Sequence, residues 1–126
     1  MRELLLFLEA YIRLVTHDFF MLRHDFAALH RNIKNYPVHP ARGKAISIEP
    51  LCHSLDVASA LYPKPPLCLQ RSSVLVKLLR KRGIPAQMII GAQKLPFKAH
   101  AWVEVDGKII NDRLASRERF LVMEVC

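Results

Sequence analysis

The chain has 126 residues, which is enough for one domain and too few for two. Its residues are 52% hydrophobic and 24% charged, as expected for a soluble globular protein. Lysine and arginine outnumber acidic residues 19 to 11, and the formal net charge of +8 favours acidic partners. The basic residues are not interleaved with the aromatic residues that RNA stacking requires, so no nucleic acid partner is expected.

The N-terminal half is predicted to be helical. Apolar residues recur at helical spacing from residue 3 to about residue 34, and one long helix or two shorter ones fit equally well. Glu9 and Arg13 interrupt the first apolar run, so it does not reach the roughly 18 unbroken apolar residues of a transmembrane segment. A loop is expected over residues 37–45. A further helix is expected over residues 48–61, ahead of a Pro-rich break at residues 62–66.

The second half predicts a helix followed by strands, which makes the fold class α+β. The helix runs from Cys68 to about Arg82, and Gly83 stops it. The core-facing side of this helix carries Cys68, Ser72, Leu75 and Leu79. The basic run at residues 80–82 is interpreted as a solvated helix end that complements the helix dipole. Strands are expected over residues 87–91, 100–105 and 108–112, and the C-terminal FLVMEVC is either a strand or a helix end.

Cys68 is the cysteine whose position favours chemistry. A thiol in the first turn of a helix faces unpaired backbone amides and the positive end of the dipole, and both favour the thiolate. A histidine partner such as His100, on the first strand of a hairpin, would complete the activation of a nucleophile. Cys52 and Cys126 have no nearby histidine pattern and are interpreted as structural or merely exposed.

The remaining cysteines and histidines suggest no further chemistry. Three cysteines cannot all pair and no signal peptide precedes them, so free thiols in a reducing cytoplasm are expected. Neither a metal nor a cofactor is expected, because the other histidines of the helical region do not form a ligand set. These histidines are His17, His24, His30 and His53.

The loop length of the hairpin decides whether His100 and Asp112 share a face of the sheet. A two-residue loop at residues 106–107 directs Asp112 to the face opposite His100, so that a triad would need a bulge. A loop one residue longer pairs Glu104 with Lys108 and sets His100 directly opposite Asp112, with β-carbons roughly 4.5–5.5 Å apart. We expect the longer loop, since it also places opposite charges across the hairpin.

Residues 67–112 closely resemble one family. They contain a Cys-Leu-x-Arg-Ser helix start, an Arg-Gly-Ile-x-Ala step, a Pro-Phe-x-Ala-His-Ala-Trp-Val-Glu strand and an Asn-Asp end. This combination resembles the transglutaminase-like leader peptidase of lasso peptide biosynthesis, usually called the B protein. Such a combination is far more specific than a cysteine and a histidine alone. Residues 1 to about 60 resemble the helical front of the same family only loosely.

The resemblance implies a papain-like and transglutaminase-like cysteine protease fold in which a central helix bearing the cysteine packs on a small antiparallel sheet. It implies Cys68 as nucleophile, His100 as general base and acid, and Asp112 as the residue that orients the histidine. Residues 1–126 would be a single domain, with a helical part at residues 1–62 and a catalytic core at residues 67–126.

The resemblance also implies a function and partners. The family removes the leader from a ribosomally made precursor peptide so that a lasso cyclase can close the macrolactam ring. The helical front of this chain is too short for the leader-recognition domain of fused family members, so a separate leader-recognition protein is the expected partner.

Two alternatives remain open from the residues alone. The same thioester chemistry permits acyl transfer instead of hydrolysis. A catalytically silent module of the same fold would bind a peptide without cleaving it. Trp102, on the same face as His100, either shields the histidine from water, lines a peptide groove or belongs to the core.

Overall fold

Helices precede strands along the chain. The computed structural model describes residues 2–39, 48–93, 98–111 and 120–126. Within these ranges the helices are α1 (Arg2–Arg23), α2 (Phe26–Lys34), α3 (Ile48–Leu61) and α4 (Cys68–Lys81). The strands are β1 (Ala86–Gln93), β2 (Lys98–Val105), β3 (Lys108–Ile109) and β4 (Leu121–Val125).

The N-terminal helical region is two helices, the second of the two possibilities that the periodicity left open. Asp25 separates them, because its Oδ1 accepts a hydrogen bond from the Ala28 N–H at 2.9 Å and caps the start of α2. The helix expected over residues 48–61 is present with those bounds. None of the helices in the described ranges is both long enough and apolar enough to cross a membrane.

Helix α4 lies at the centre of the core. Its apolar residues pack against α1 and α3 on one side and against β1 and β2 on the other. Ser72, Leu75 and Leu79 are fully buried, as the helical spacing predicts. The helix ends before Gly83, whose φ of +84° is a conformation that glycine adopts without strain.

The strands form an antiparallel sheet in the order β3-β2-β1-β4. The C-terminal segment is therefore a strand, which settles the alternative left open by the sequence. The predicted third strand is shorter than expected and ends at Ile109 instead of Asp112. A helical N-terminal half and a central helix packed on a small antiparallel sheet agree with the predicted α+β class.

The interpretation of residues 80–82 as a solvated helix end is wrong for Arg80 and Arg82, although the side chain of Lys81 is half exposed. Arg80 is buried, and its guanidinium donates hydrogen bonds to four backbone carbonyls from three parts of the chain. The acceptors are Ala86 at 2.9 Å, Cys126 at 2.7 Å, Tyr36 at 3.2 Å and Ile33. Arg80 thus joins α2, β1 and the end of β4 to the central helix.

The other two basic residues of this run hold α1 to α4. Lys81 Nζ and Arg82 Nη2 bind the carboxylate of Glu9 at 2.9 and 2.5 Å. Although burial opposes ionisation, these hydrogen bonds and charges lower the pKa of Glu9 to about 2. The basic run therefore acts within the fold and does not form a free cationic patch.

Candidate active site

Cys68 is the first residue of α4, as predicted. Leu67 precedes it as the N-cap residue in an extended conformation, with φ of −77° and ψ of 166°. The first helical hydrogen bond runs from the Arg71 N–H to the Leu67 carbonyl at 3.0 Å. The N–H groups of the helix residues before Arg71 therefore have no acceptor within the helix. The half-buried thiol therefore lies at the positive end of the helix dipole.

Helix α4 and strand β2 run in the same direction. In the first half of the helix, Ser72 Oγ donates to the Ala101 carbonyl at 3.1 Å. Near the other end, Arg80 Nε donates to the Ala86 carbonyl at 2.9 Å, and Ala86 pairs with Val105 of β2. The two contacts are about 12 Å apart along the helix and about 13 Å apart along the strand. The matching distances fix the helix alongside the strand.

This arrangement brings Cys68 to the end of the sheet that carries His100. Cys68 precedes Ser72 by one helical turn, or about 6 Å, which corresponds to about two strand residues before Ala101. Along the strand direction, Cys68 therefore lies at about the level of His100 and the residue before it. Strand β3 pairs only with Glu104 and Val105, so among the described strands β2 has no neighbour beside His100 on that edge.

The imidazole of His100 lies on the sheet face opposite the α4 core, so Cys68 and His100 share an end of the sheet but not a face. Its ring stacks on Phe120 with centroids 5.7 Å apart and lies 6.2 Å from the ring of Trp102. Gly91, the residue paired with His100, makes this packing possible: a β-carbon on it would lie 2.7 Å from Phe120 Cβ and 2.8 Å from Trp102 Cη2. The aromatic side chains and Gly91 therefore define the position of the half-buried histidine.

Trp102 is a core residue of this face. It is fully buried, packs against Ile89 and Phe120, and donates its indole N–H to Glu104 Oε2 at 2.8 Å. Of the three roles left open for it, core packing beside the histidine fits this burial, whereas lining an open peptide groove does not.

Two residues that the sequence analysis did not assign to the site tie its elements together. Ser72 Oγ, besides donating to Ala101, accepts a hydrogen bond from Asn111 Nδ2 at 3.2 Å. Asn111 Oδ1 in turn accepts from the Val103 N–H at 2.8 Å. The Ser72–Asn111 network thus joins the helix of Cys68, the strand of His100 and the residue immediately before Asp112. Both residues stand in the motifs quoted above, but only the fold reveals what they contact.

The predicted three-residue hairpin loop is wrong. Val105 pairs with Lys108 across a two-residue turn, and Glu104 faces Ile109 instead of Lys108. Asp106 and Gly107 both have positive φ, 52° and 77°, as a type I′ turn requires. The preference of an Asp-Gly pair for this turn outweighs the expected charge pair across the hairpin.

The regular ladder of this register ends at Ile110. Beyond β3, the Ile110 N–H still donates to the Val103 carbonyl at 3.1 Å. In a regular ladder the Val103 N–H would bind the Ile110 carbonyl, but it binds the side chain of Asn111. Strand parity therefore gives no information about the residues after Ile110. Asp112 itself lies outside the described residues, and the parity argument that linked it to His100 no longer supports it.

The other two cysteines differ from Cys68 in their surroundings. Burial, with the nearby carboxylates of Asp56 and Glu49, raises the pKa of Cys52 to about 11. Burial also raises the pKa of Cys126. All three thiols are unpaired, as predicted, but these two are held in the protonated form that is a poor nucleophile.

The chain is similar to known proteins in ways that agree with this geometry. The family model of the transglutaminase-like superfamily matches residues 12–125. The microcin J25-processing protein McjB of Escherichia coli is 41% identical over 56 residues, which cover 44% of this chain and 27% of that protein. The match thus spans about a quarter of the relative's length. No solved structure matches the chain.

Proposed function

The chain belongs to the transglutaminase-like superfamily, and we propose that it is a cysteine peptidase that removes the leader from a lasso peptide precursor. The observation that carries this proposal is the parallel course of α4 and β2, which brings Cys68 at a helix start to the same end of the sheet as His100. Similarity to a protein named for processing microcin J25 supports the substrate class.

In this proposal each residue of the triad has one role. The Cys68 thiolate attacks the scissile carbonyl, and the leaving amine receives a proton from the His100 imidazolium. Water, deprotonated by the same imidazole, then hydrolyses the thioester and frees the enzyme. Asp112 holds the imidazole in the required tautomer. Its assignment rests on the resemblance of the Asn-Asp end to the family motif, and the anchoring of Asn111 keeps the preceding residue beside β2.

The proposal extends to the cellular setting. A separate leader-recognition protein delivers the precursor, and a lasso cyclase uses the released core peptide. The three unpaired thiols suit a reducing cytoplasm.

A cleavage assay with mass analysis tests the reaction. The wild-type protein, Cys68→Ala and the matched control Cys52→Ala are each incubated with a leader-bearing lasso precursor and its leader-recognition protein. The wild type and Cys52→Ala are expected to yield two fragments whose masses together exceed the precursor by one water, whereas Cys68→Ala yields none. A product that gains the mass of an added amine would identify acyl transfer instead, and full processing by Cys68→Ala would identify a non-catalytic peptide-binding module.

The role of Asp112 needs a separate test. Asp112→Asn removes the carboxylate charge but keeps the size of the side chain. We expect kcat to fall by roughly 10²–10⁴-fold with the circular dichroism spectrum unchanged. A variant that cleaves at the wild-type rate would remove Asp112 from the triad and leave Cys68 and His100 in place.

A further inference from the structure

A cavity of about 150 Å³ lies between α1, α2 and α4. Its polar lining is cationic or neutral, and no acidic side chain among the described residues lines it. The polar residues are Arg13, Thr16, His17, Asn32, Ser73 and Lys77. We call it the basic cavity. None of these residues belongs to the assigned triad, so the cavity is a separate feature of the fold.

Two cations of the basic cavity lie over the same aromatic ring. The Arg13 guanidinium and the Lys77 ammonium lie 5.7 and 5.8 Å from the centroid of the same ring, that of Tyr36. Lys77 is half-buried and makes no ion pair with any carboxylate in the described ranges. Arg13 lies 3.6 Å from Glu9, a carboxylate that Lys81 and Arg82 already bind. The positive charge of the cavity is thus incompletely neutralised by the protein.

The hydrogen-bonding groups of the cavity are also incompletely used. Arg13 Nη2 donates to the Tyr36 hydroxyl at 3.1 Å, but its buried Nε, 3.6 Å from Glu9 Oε1, is too far from that oxygen for a hydrogen bond and has no other partner within the described part of the chain. Burial, together with the nearby Arg13 charge, lowers the pKa of Lys77. Two like charges in a half-buried site are unfavourable unless an anion lies between them, and an unpaired buried donor is unfavourable unless an acceptor reaches it.

We propose that the basic cavity binds a tetrahedral oxyanion such as phosphate or sulfate, held by the Arg13 guanidinium and the Lys77 ammonium, with Asn32 and His17 as neutral donors. Charge selects an anion, and the small volume selects a compact one. Because the cavity is formed by α1, α2 and α4 together, a bound anion would fasten the N-terminal helices to the helix that carries Cys68.

Thermal unfolding tests the proposal directly on the intact chain. The melting temperature is measured near pH 7 in sodium phosphate, sodium sulfate and sodium chloride at matched ionic strength. With a dissociation constant of about 1 mM, about 10 mM phosphate should raise Tm by roughly 3–6 °C over chloride. Sulfate should act in the same direction. Equal melting temperatures in the three salts would overturn the proposal.

A charge-matched pair of variants locates the effect. Lys77→Met keeps the apolar stem and removes the ammonium, and it should melt higher than the wild type in chloride and lose most of the phosphate response. Lys108→Met removes the same charge at the exposed hairpin end and should keep the response. A full phosphate response in Lys77→Met would assign the anion to another site and overturn the proposal.

The environment of His17 gives an independent measurement. Titration with phosphate should shift the imidazole resonances of His17 in a saturable way, while chloride at the same ionic strength leaves them in place. Saturable shifts confined to other histidines would contradict the proposed location.

Discussion

The hydroxyl of Ser72 links the nucleophile helix to the histidine strand, and its removal should weaken both the fold and catalysis. Ser72→Ala deprives the Ala101 carbonyl and the Asn111 amide of their partner in a fully buried place. Each net hydrogen bond is worth about 0.5–1.5 kcal/mol, and a buried polar group left unsatisfied costs about 1–3 kcal/mol. We therefore expect the free energy of unfolding to fall by about 2–3 kcal/mol.

The expected catalytic effect follows from geometry. Without the hydroxyl, α4 is held less firmly against β2, and the positions of Cys68 and His100 relative to each other are less well fixed. A misplacement of about 1 Å can cost 10²-fold in rate. We expect kcat for precursor cleavage to fall by roughly 10–100-fold with little change in KM, because Ser72 is buried and does not contact the peptide. Rates are compared at a temperature where urea titrations find each variant more than nine-tenths folded, a fraction that ~1.4 kcal/mol of stability provides.

Ser73→Ala is the matched control. Ser73 is also buried, but its hydroxyl donates at 2.7 Å to the Leu69 carbonyl in its own helix and more weakly to Met88 Sδ of β1 at 3.5 Å, and neither bond reaches β2 or Asn111. Its loss should cost less than about 1 kcal/mol and leave kcat within about twofold of the wild type. If the two variants lose activity equally, or if Ser72→Ala keeps the wild-type kcat while folded, the link between α4 and β2 does not position the site.

Three further predictions concern residues that support the site. Arg80→Met removes a donor shared by four backbone carbonyls, of which those of Ile33 and Cys126 keep a backbone N–H partner, and should lower the free energy of unfolding in urea by about 3–5 kcal/mol; a loss under 1 kcal/mol would contradict its role as a junction. The pKa of Glu9 is lowered from 4.5 to about 2, so its contribution of about 2–3 kcal/mol is present above pH 4.5 and is lost as the pH falls towards 2. Glu9→Gln should flatten that part of the stability curve, and parallel curves would refute the assignment. Gly91→Ala places a β-carbon 2.7 Å from Phe120 Cβ and should cost about 1–3 kcal/mol and slow cleavage; unchanged kinetics would mean that the packing around His100 does not position it.

Local patterns explain how far the fold could be predicted. Helical periodicity and the Gly83 stop located α4, and its first residue is the cysteine on which the functional reading depends. The predicted hairpin register is wrong for an equally local reason. A cross-strand charge pair contributes about 0.2–1 kcal/mol, too little to override the strong preference of Asp-Gly for a two-residue turn. Glu104 has a better use, since its buried carboxylate accepts the Trp102 indole hydrogen bond.

Contacts between distant parts of the chain could not be predicted in the same way. In the sequence, Arg80 is one of three consecutive basic residues at a helix end, where solvation is the ordinary expectation. Its burial depends on carbonyls contributed by α2, β1 and Cys126, which meet only in the folded chain. Ser72 likewise stands one turn after Cys68 on the predicted core face, but its partners lie on β2 and beyond β3.

The two-residue turn changes which contacts must hold a triad together. If pairing between β2 and β3 continued past Ile110, a two-residue turn would direct Asp112 away from His100. The ladder instead stops where the Asn111 side chain takes the hydrogen bond of the Val103 N–H. Since the other end of that amide binds Ser72 on α4, the path of the chain towards Asp112 is governed by a side-chain anchor between helix and strand. The geometry of the proposed triad therefore depends more on Ser72 and Asn111 than on the turn.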